Sequence, residues 1–143
     1  MIEDDLLEYD EYNDWYVEPI DWNELSKDDF INTLKFAYQH PSNDIDYDST
    51  DWCSLFKRYD ASDWIVTDDE KKWFESLPKK ITVYRCGTED GISWTTNRSV
   101  ARYFQRDSLY YKNKDVDIHE KVIDKSEIRA VLLDMDEDEV ILC

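Results

Sequence analysis

The hydrophobic pattern of this chain changes at Pro78, and that change limits the folds that the chain can adopt. Before Pro78, apolar residues recur three and four positions apart, which is the spacing of amphipathic helices. After Pro78, short runs rich in β-branched and aromatic residues are separated by polar turns, which is typical of strands. A helical first half followed by a strand-rich second half predicts an α+β protein.

Three helices are predicted in the first half of the chain. The first covers 27–40, because Ser26 can cap its N-terminus and apolar residues follow at helical spacing. The second is expected over 51–59. The third begins after Thr67, whose spacing from Glu70 matches a capping box.

One helix and five strands are predicted in the second half. The helix starts after Asn97, a good N-cap residue, and is expected over 98–106, with a polar loop over 107–115. The strands are expected at 81–84, 92–96, 117–124, 128–133 and 139–143. We therefore divide the chain into an acidic aromatic segment, 1–24, and a single domain, 25–143, made of a helical part, 25–78, and a strand-rich part, 79–143.

The charged residues, like the hydrophobic pattern, differ between the two halves of the chain. The 143 residues carry 35 acidic and 17 basic side chains, for a formal net charge of −18. Residues 1–78 hold 22 acidic and 6 basic side chains, a net of −16, whereas residues 79–143 hold 13 and 11, a net of −2. Such a field repels nucleic acids and attracts basic proteins. We expect a basic protein partner and no direct nucleic-acid binding, with a simple solvated surface as the alternative.

The cysteines and the apolar runs indicate in which cellular compartment the protein is expected. Cys53, Cys86 and Cys143 are scattered and odd in number, so a reduced cytoplasmic protein is the simplest expectation. No pair of them has metal-ligand spacing, and no metal site is predicted. No basic and apolar leader opens the sequence, and no apolar run approaches ~18 residues, so neither export nor a membrane partner is expected.

Three short motifs in the second half carry side chains that can act together. An arginine ends the first strand, a Ser-x-Thr segment forms the second strand, and a Glu-x-Glu pair precedes the last strand. They are Arg85, Ser93-Trp94-Thr95 and Glu137-Asp138-Glu139. The planar fork of an arginine suits phosphate, and a carboxylate stabilises a sugar that becomes cation-like when its glycosidic bond breaks.

In their order, spacing and strand context these motifs resemble those of the mono-ADP-ribosyltransferases of the arginine–serine–glutamate class, in their small bacterial or phage form. The resemblance covers about residues 80–143. It implies a split two-sheet core, NAD as the substrate, and transfer of ADP-ribose to a protein side chain, an arginine, of the basic partner. By analogy of fold, such an enzyme would be a phage or bacterial effector acting on host machinery.

The resemblance also implies a role for each motif residue. Glu139 would stabilise the oxocarbenium-like ribose, and Glu137, expected on the same side of the strand, would face the incoming nucleophile. Arg85 would hold the pyrophosphate or the nicotinamide ribose. Ser93 would keep the nicotinamide pocket open beside Glu139, and Thr95 would support Ser93. Trp94, between them, is expected to pack in the core behind the sheet.

An aromatic side chain stacks on the nicotinamide in that family, and three residues could do so here. Phe104, Tyr110 and Tyr111 are the open candidates, with Phe104 included in the candidate site. Each motif residue also has a plain structural interpretation, as a salt bridge, a sheet hydroxyl or an exposed charge.

Two other functions stay open. The acidic, aromatic first half could make the chain a non-enzymatic module that imitates the charge of a nucleic acid and blocks a nucleic-acid-binding protein. Alternatively, the transferase fold could have lost turnover.

Overall fold

The computed structural model of the chain describes residues 7–9, 15–17, 20–40 and 45–143. The chain forms two compact units, Met1–Trp52 and Cys53–Cys143. The segment boundaries predicted after residues 24 and 78 stay predictions. The structure is α+β, as predicted, with four α-helices and a five-stranded antiparallel sheet among the described residues.

The first described elements of the first unit are two short strands that the sequence did not predict. Strands β1 (Leu7–Tyr9) and β2 (Trp15–Val17) pair antiparallel, with Leu7 opposite Val17. Helix α1 (Lys27–Gln39) confirms the predicted helix over 27–40. The Ser26 hydroxyl accepts a hydrogen bond from the backbone N–H of Asp29 at 3.2 Å, which is the expected N-cap.

The core of the first unit is built from the apolar face of α1. Its buried members on the helix are Phe30, Ile31, Leu34 and Ala37. Trp22, in a 3₁₀ turn (Trp22–Glu24), packs edge-on against Phe30 with ring centroids 5.1 Å apart. Its indole N–H donates to the Tyr47 hydroxyl at 3.1 Å, so the polar atom of this large side chain is satisfied.

Two further helices precede the sheet. Helix α2 (Ser49–Phe56) confirms the second predicted helix, although it ends three residues before the predicted position 59. Helix α3 (Asp68–Ser76) begins at the predicted capping box, in which Thr67 and Glu70 bond to each other's backbone N–H groups. Between these helices a 3₁₀ turn (Ala61–Trp64) buries Trp64 fully against Phe56.

All five strands of the second half are confirmed, with small differences at their ends. They are β3 (Lys80–Cys86), β4 (Ser93–Thr95), β5 (Ile118–Asp124), β6 (Ala130–Leu132) and β7 (Glu139–Ile141). They form one antiparallel sheet in the order β5-β3-β4-β7-β6. The implied split of this core into two sheets is not confirmed. The order places β4 beside β7, so that Thr95 lies directly opposite Glu139.

The helix between β4 and β5 is longer than the sequence predicted. Helix α4 (Arg98–Lys112) is capped by Asn97 as expected, but it continues through 107–112, where a polar loop was predicted. The loop prediction was wrong because neither proline nor glycine interrupts this stretch. The helix ends at Asn113, whose φ of 52° is the left-handed conformation that often terminates helices. None of the helices in the described part of the chain is long and apolar enough to cross a bilayer.

The core of the second unit covers one face of the sheet. Its buried members are Ile81, Val83, Trp94, Ile123, Ile128, Val131, Val140 and Leu142, against which Trp73, Phe74 and Leu77 pack from α3 and the residue after it. Trp94 is therefore a core residue, as predicted. Because side chains alternate along a strand, its neighbours Ser93 and Thr95 project from the opposite face of β4.

A disulfide joins two of the three cysteines. Cys53 on α2 and Cys143 at the C-terminal end of the chain are bonded across a sequence separation of 90, with their Cα atoms 5.7 Å apart. Cys86 is the free cysteine. This bond corrects the expectation that all three cysteines are reduced, because spacing along the chain gave no sign that these two distant positions would meet in the fold.

Candidate active site

A cavity of about 430 Å³ lies beside α4 and is lined by residues of β3, β4 and β7. This volume is within the range of small-molecule sites, ~300–1,000 Å³. All six residues of the predicted candidate site line it: Arg85, Ser93, Thr95, Phe104, Glu137 and Glu139. The fold therefore brings together side chains that four separate segments of the sequence supply.

Glu139 is the buried acid of this cavity. It opens β7, and only 9% of its surface is exposed. The hydroxyl of Ser93 donates a short hydrogen bond to its Oε2 atom. Burial raises the pKa of Glu139 to about 7; the Ser93 hydrogen bond and the charge of Arg85 oppose the rise, and the charge of Glu137 adds to it. Glu139 is therefore divided between its ionised and neutral forms near neutral pH.

Glu137 reaches the cavity from a turn and not from a strand. The strand begins at Glu139, so the alternation argument that placed both glutamates on one side does not apply. Glu137 lies between Asp136 and Asp138, whose φ angles of 54° and 47° are left-handed and are adopted more readily by Asp than by most residues. Burial raises the pKa of Glu137 above its usual value.

Thr95 fixes that turn. Its hydroxyl donates to the backbone carbonyl of Glu137 at 2.7 Å and accepts from the backbone N–H of Asn97 at 3.0 Å. The backbone N–H of Thr96 donates to the carbonyl of Asp138 at 3.1 Å. The end of β4 thus holds both the turn that carries Glu137 and the N-terminus of α4.

Arg85 ties the end of β3 to the neighbouring strand. Its Nε atom donates to the carbonyl of Thr88 at 2.6 Å, and one terminal nitrogen donates to the carbonyl of Ser93 at 2.8 Å. The guanidinium lies against Gly91, where a Cβ atom would collide with it. Position 91 must therefore be glycine for Arg85 to keep this place.

Of the three aromatic candidates, Phe104 is the one that lines the cavity. Its ring is 40% exposed and packs against that of Tyr103, with centroids 5.7 Å apart. Tyr110 and Tyr111 instead line a separate shallow hollow on α4 together with Tyr103. Stacking of Phe104 on a ligand stays a prediction.

The cavity also has four polar lining residues that the sequence did not single out. Asp107, Ser108 and Lys112 belong to α4, and Lys114 follows its end. They were missed because the helix was predicted to end at residue 106. No helix breaker precedes Asn113, and this absence was the signal that the helix continues and carries further polar residues to the cavity.

Comparison with protein-family models, with curated proteins and with solved structures finds no match for this chain. The geometry of the cavity is therefore what indicates a function. A buried carboxylate can oppose positive charge that develops on a ligand, and the cationic side chains that line the cavity can bind anionic groups.

Proposed function

We propose that this chain is a mono-ADP-ribosyltransferase that moves ADP-ribose from NAD to an arginine side chain of a basic protein partner. One observation carries the proposal. Around a single cavity, Arg85 donates to the carbonyl of Ser93, and the hydroxyl of Ser93 donates to Glu139. The proposal assigns the five-stranded sheet to an ADP-ribosyltransferase-like core and the helices before it to an acidic recognition half.

The chemistry asked of Glu139 follows from its position. Cleavage of NAD breaks the bond between the ribose C1 atom and the nicotinamide nitrogen, and the electron pair leaves with nicotinamide. The ribose becomes cation-like, and an ionised carboxylate that is already buried beside it stabilises this charge without reorganisation of solvent. Ser93 orients the carboxylate through its hydrogen bond.

The acceptor would meet Glu137. Its carboxylate is half-buried at the same cavity, on a turn that Thr95 holds in place. A guanidinium that approaches the ribose forms a new bond from one nitrogen to C1 and releases one proton. Glu137 orients that group and takes the proton, which is the role that its resemblance to the first glutamate of the family implies.

The direct test is transfer of label from NAD to a candidate target or to lysate proteins. We expect Glu139→Gln to lower the rate by about 10²–10³, because the swap keeps size and removes the charge. Glu137→Gln should reduce transfer to protein more than hydrolysis of NAD. Arg85→Lys should weaken NAD binding, since a lysine cannot make both carbonyl contacts and still present a planar fork.

Glu120→Gln, which removes an exposed carboxylate of β5, is the matched control and should transfer like wild type. Equal transfer by wild type and Glu139→Gln would contradict the assigned site. A wild-type protein that neither binds nor cleaves NAD with any target would reject the transferase proposal.

The proposal includes a cytoplasmic location and an effector role, from phage or bacterium, on host machinery. Proteins of the reducing cytoplasm rarely keep structural disulfides, so the bond between Cys53 and Cys143 is the observation that opposes this location. Trapping of thiols in intact cells with an alkylating reagent tests it. Full protection of both cysteines would contradict the cytoplasmic location.

A second candidate function has one observation in its favour, the net charge of −16 on residues 1–78. A surface of that charge could imitate a nucleic acid and block a nucleic-acid-binding protein without catalysis. Its association should then slow as ionic strength rises past ~0.15 M, where the screening length is about 8 Å. An association rate that does not change with salt would leave the charge as a contribution to solubility.

A further inference from the structure

The cavity is elongated along α4, and its two ends differ in charge. The helix presents six residues to it at helical spacing: Val100, Ala101, Phe104, Asp107, Ser108 and Lys112. At a rise of 1.5 Å per residue, Lys112 lies about 18 Å beyond Val100 along the helix axis. The N-terminal end of α4 adjoins the turn that carries Glu137, through the bond from Thr96 to Asp138. The carboxylates thus lie at one end and the lysine at the other.

Lys114 joins Lys112 at that far end, on a segment that is held in place. Its backbone N–H donates to the carbonyl of Ser108 at 3.1 Å, and the side chain of Gln105 donates to the carbonyl of Val116 at 2.9 Å. Both lysines are exposed, and neither forms an ion pair with any residue that the structure describes. The cavity therefore has two lysine charges at this end that no described residue neutralises by a salt bridge.

Among the side chains that line this end of the cavity, the positive charges outnumber the negative ones. The C-terminus of a helix carries roughly half a negative charge, and Asp107 adds one carboxylate to the lining. Counted over the lining alone, the two ammonium groups leave this end of the cavity positive by about half a charge before any ligand binds. Asp107 and Ser108 also offer an acceptor and a donor to the hydroxyls of a ribose.

Arg85 is less free to hold an anion. Its Nε atom and one terminal nitrogen are already engaged with the carbonyls of Thr88 and Ser93. Its position near Ser93 and Glu139 also keeps it at the carboxylate end. A nucleotide whose sugar reaches Glu139 must therefore find most of the countercharge for its phosphates elsewhere along the cavity.

We propose that Lys112 and Lys114 bind the diphosphate of a nucleotide, with the reacting sugar at the Glu139 end of the cavity. The inference rests on the proposed function, because NAD carries a diphosphate between two riboses. It adds a phosphate site that the motifs of the sequence do not contain.

The test compares two probes by calorimetric titration at low salt. ADP-ribose contains the diphosphate, and nicotinamide riboside lacks any phosphate. We expect Lys112→Ala combined with Lys114→Ala to weaken binding of ADP-ribose at least about tenfold, since a hydrogen bond to a charged group contributes that much or more. Binding of nicotinamide riboside should stay within about twofold. Lys112→Arg with Lys114→Arg should restore binding of ADP-ribose, which a loss caused by misfolding would not show.

Arg98→Ala combined with Arg102→Ala is the matched control. It removes two exposed positive charges from the same helix at positions outside the cavity lining, and should bind ADP-ribose like wild type. An equal loss of ADP-ribose affinity in this control, or unchanged affinity in the lysine variant, would overturn the inference. The proposed function would still hold if wild type cleaves NAD. Lysine-dependent binding of ADP-ribose without any cleavage of NAD would instead sustain the phosphate site and reject the transferase.

Discussion

Replacing Glu139 with glutamine should change the pH dependence of stability in a direction that can be calculated. Burial raises the pKa of Glu139 in the folded protein from 4.5 to about 7. Below pH ~4.5 the group is protonated in both the folded and the unfolded states, so it makes no difference to stability. Between pH ~4.5 and 7 the unfolded state releases the proton while the folded state keeps it, so the free energy of unfolding falls.

The size of this loss follows from the two pKa values. They differ by about 2.5 pH units, and each unit corresponds to ~1.4 kcal/mol, so the loss approaches about 3 kcal/mol above pH 7. Glutamine does not titrate, and its amide oxygen can still accept the Ser93 hydroxyl. Relative to wild type, Glu139→Gln should therefore gain roughly 3 kcal/mol in the free energy of unfolding between pH 4 and pH 8.

Urea unfolding of wild type and variant at each pH unit from 4 to 9 measures the difference directly, and the titrations of groups that do not interact with Glu139 cancel in it. Glu120→Gln controls for the loss of one negative charge from a chain with a net charge of −18. A difference between Glu139→Gln and wild type that stays constant across this pH range would refute the reasoning, because it would mean that burial does not hold the proton on Glu139.

Three further outcomes are expected. Gly91→Ala should displace the Arg85 guanidinium from the two carbonyls that it contacts and weaken NAD binding by about tenfold, while the circular dichroism spectrum stays unchanged. A wild-type affinity for NAD, measured by calorimetry, would contradict this. If Glu139 acts as proposed, only its ionised form supports transfer, so kcat/KM for transfer should rise roughly tenfold from pH 6 to pH 8. A flat profile would exclude this role of Glu139. Reduction of the Cys53–Cys143 bond should lower the free energy of unfolding by about 2–4 kcal/mol and raise the number of titratable thiols from one to three. Three titratable thiols before reduction would show that the bond is absent.

Much of the secondary structure could be predicted from the sequence because its signals are local. The capping box of Thr67 and Glu70 fixes the start of α3 within four residues, and the alternation of Ile81 and Val83 identifies β3. The end of α4 gave no comparable signal. Its last turn is exposed, as the 82% exposed side chain of Tyr110 shows, so no apolar face extended the helical period beyond residue 106.

The sequence predicted which residues of the three motifs belong to the candidate site, but not their contacts. Residue types and order were enough to single out Arg85 and Glu139, but not to reveal what they contact. Whether a guanidinium is engaged by backbone carbonyls depends on the turn between β3 and β4, and the position of Glu137 depends on Thr95, 42 residues earlier. The pairing of Cys53 with Cys143 is hidden for the same reason, since contacts between distant segments follow from the assembled sheet.

The burial of Glu139 is difficult to explain by stability alone. At neutral pH its desolvation acts against folding by up to about 3 kcal/mol, and an apolar residue at the head of β7 would remove that term. Its neighbours Val140 and Ile141 are fully buried, and each contributes roughly 1.5–3 kcal/mol by leaving water, so the strand remains stable despite the acid. Glu139 is thus a carboxylate that lowers stability, accepts a hydrogen bond from Ser93 and lines a cavity. Residues that are kept at a cost in stability cluster at functional sites, which is why this position is the candidate for chemistry.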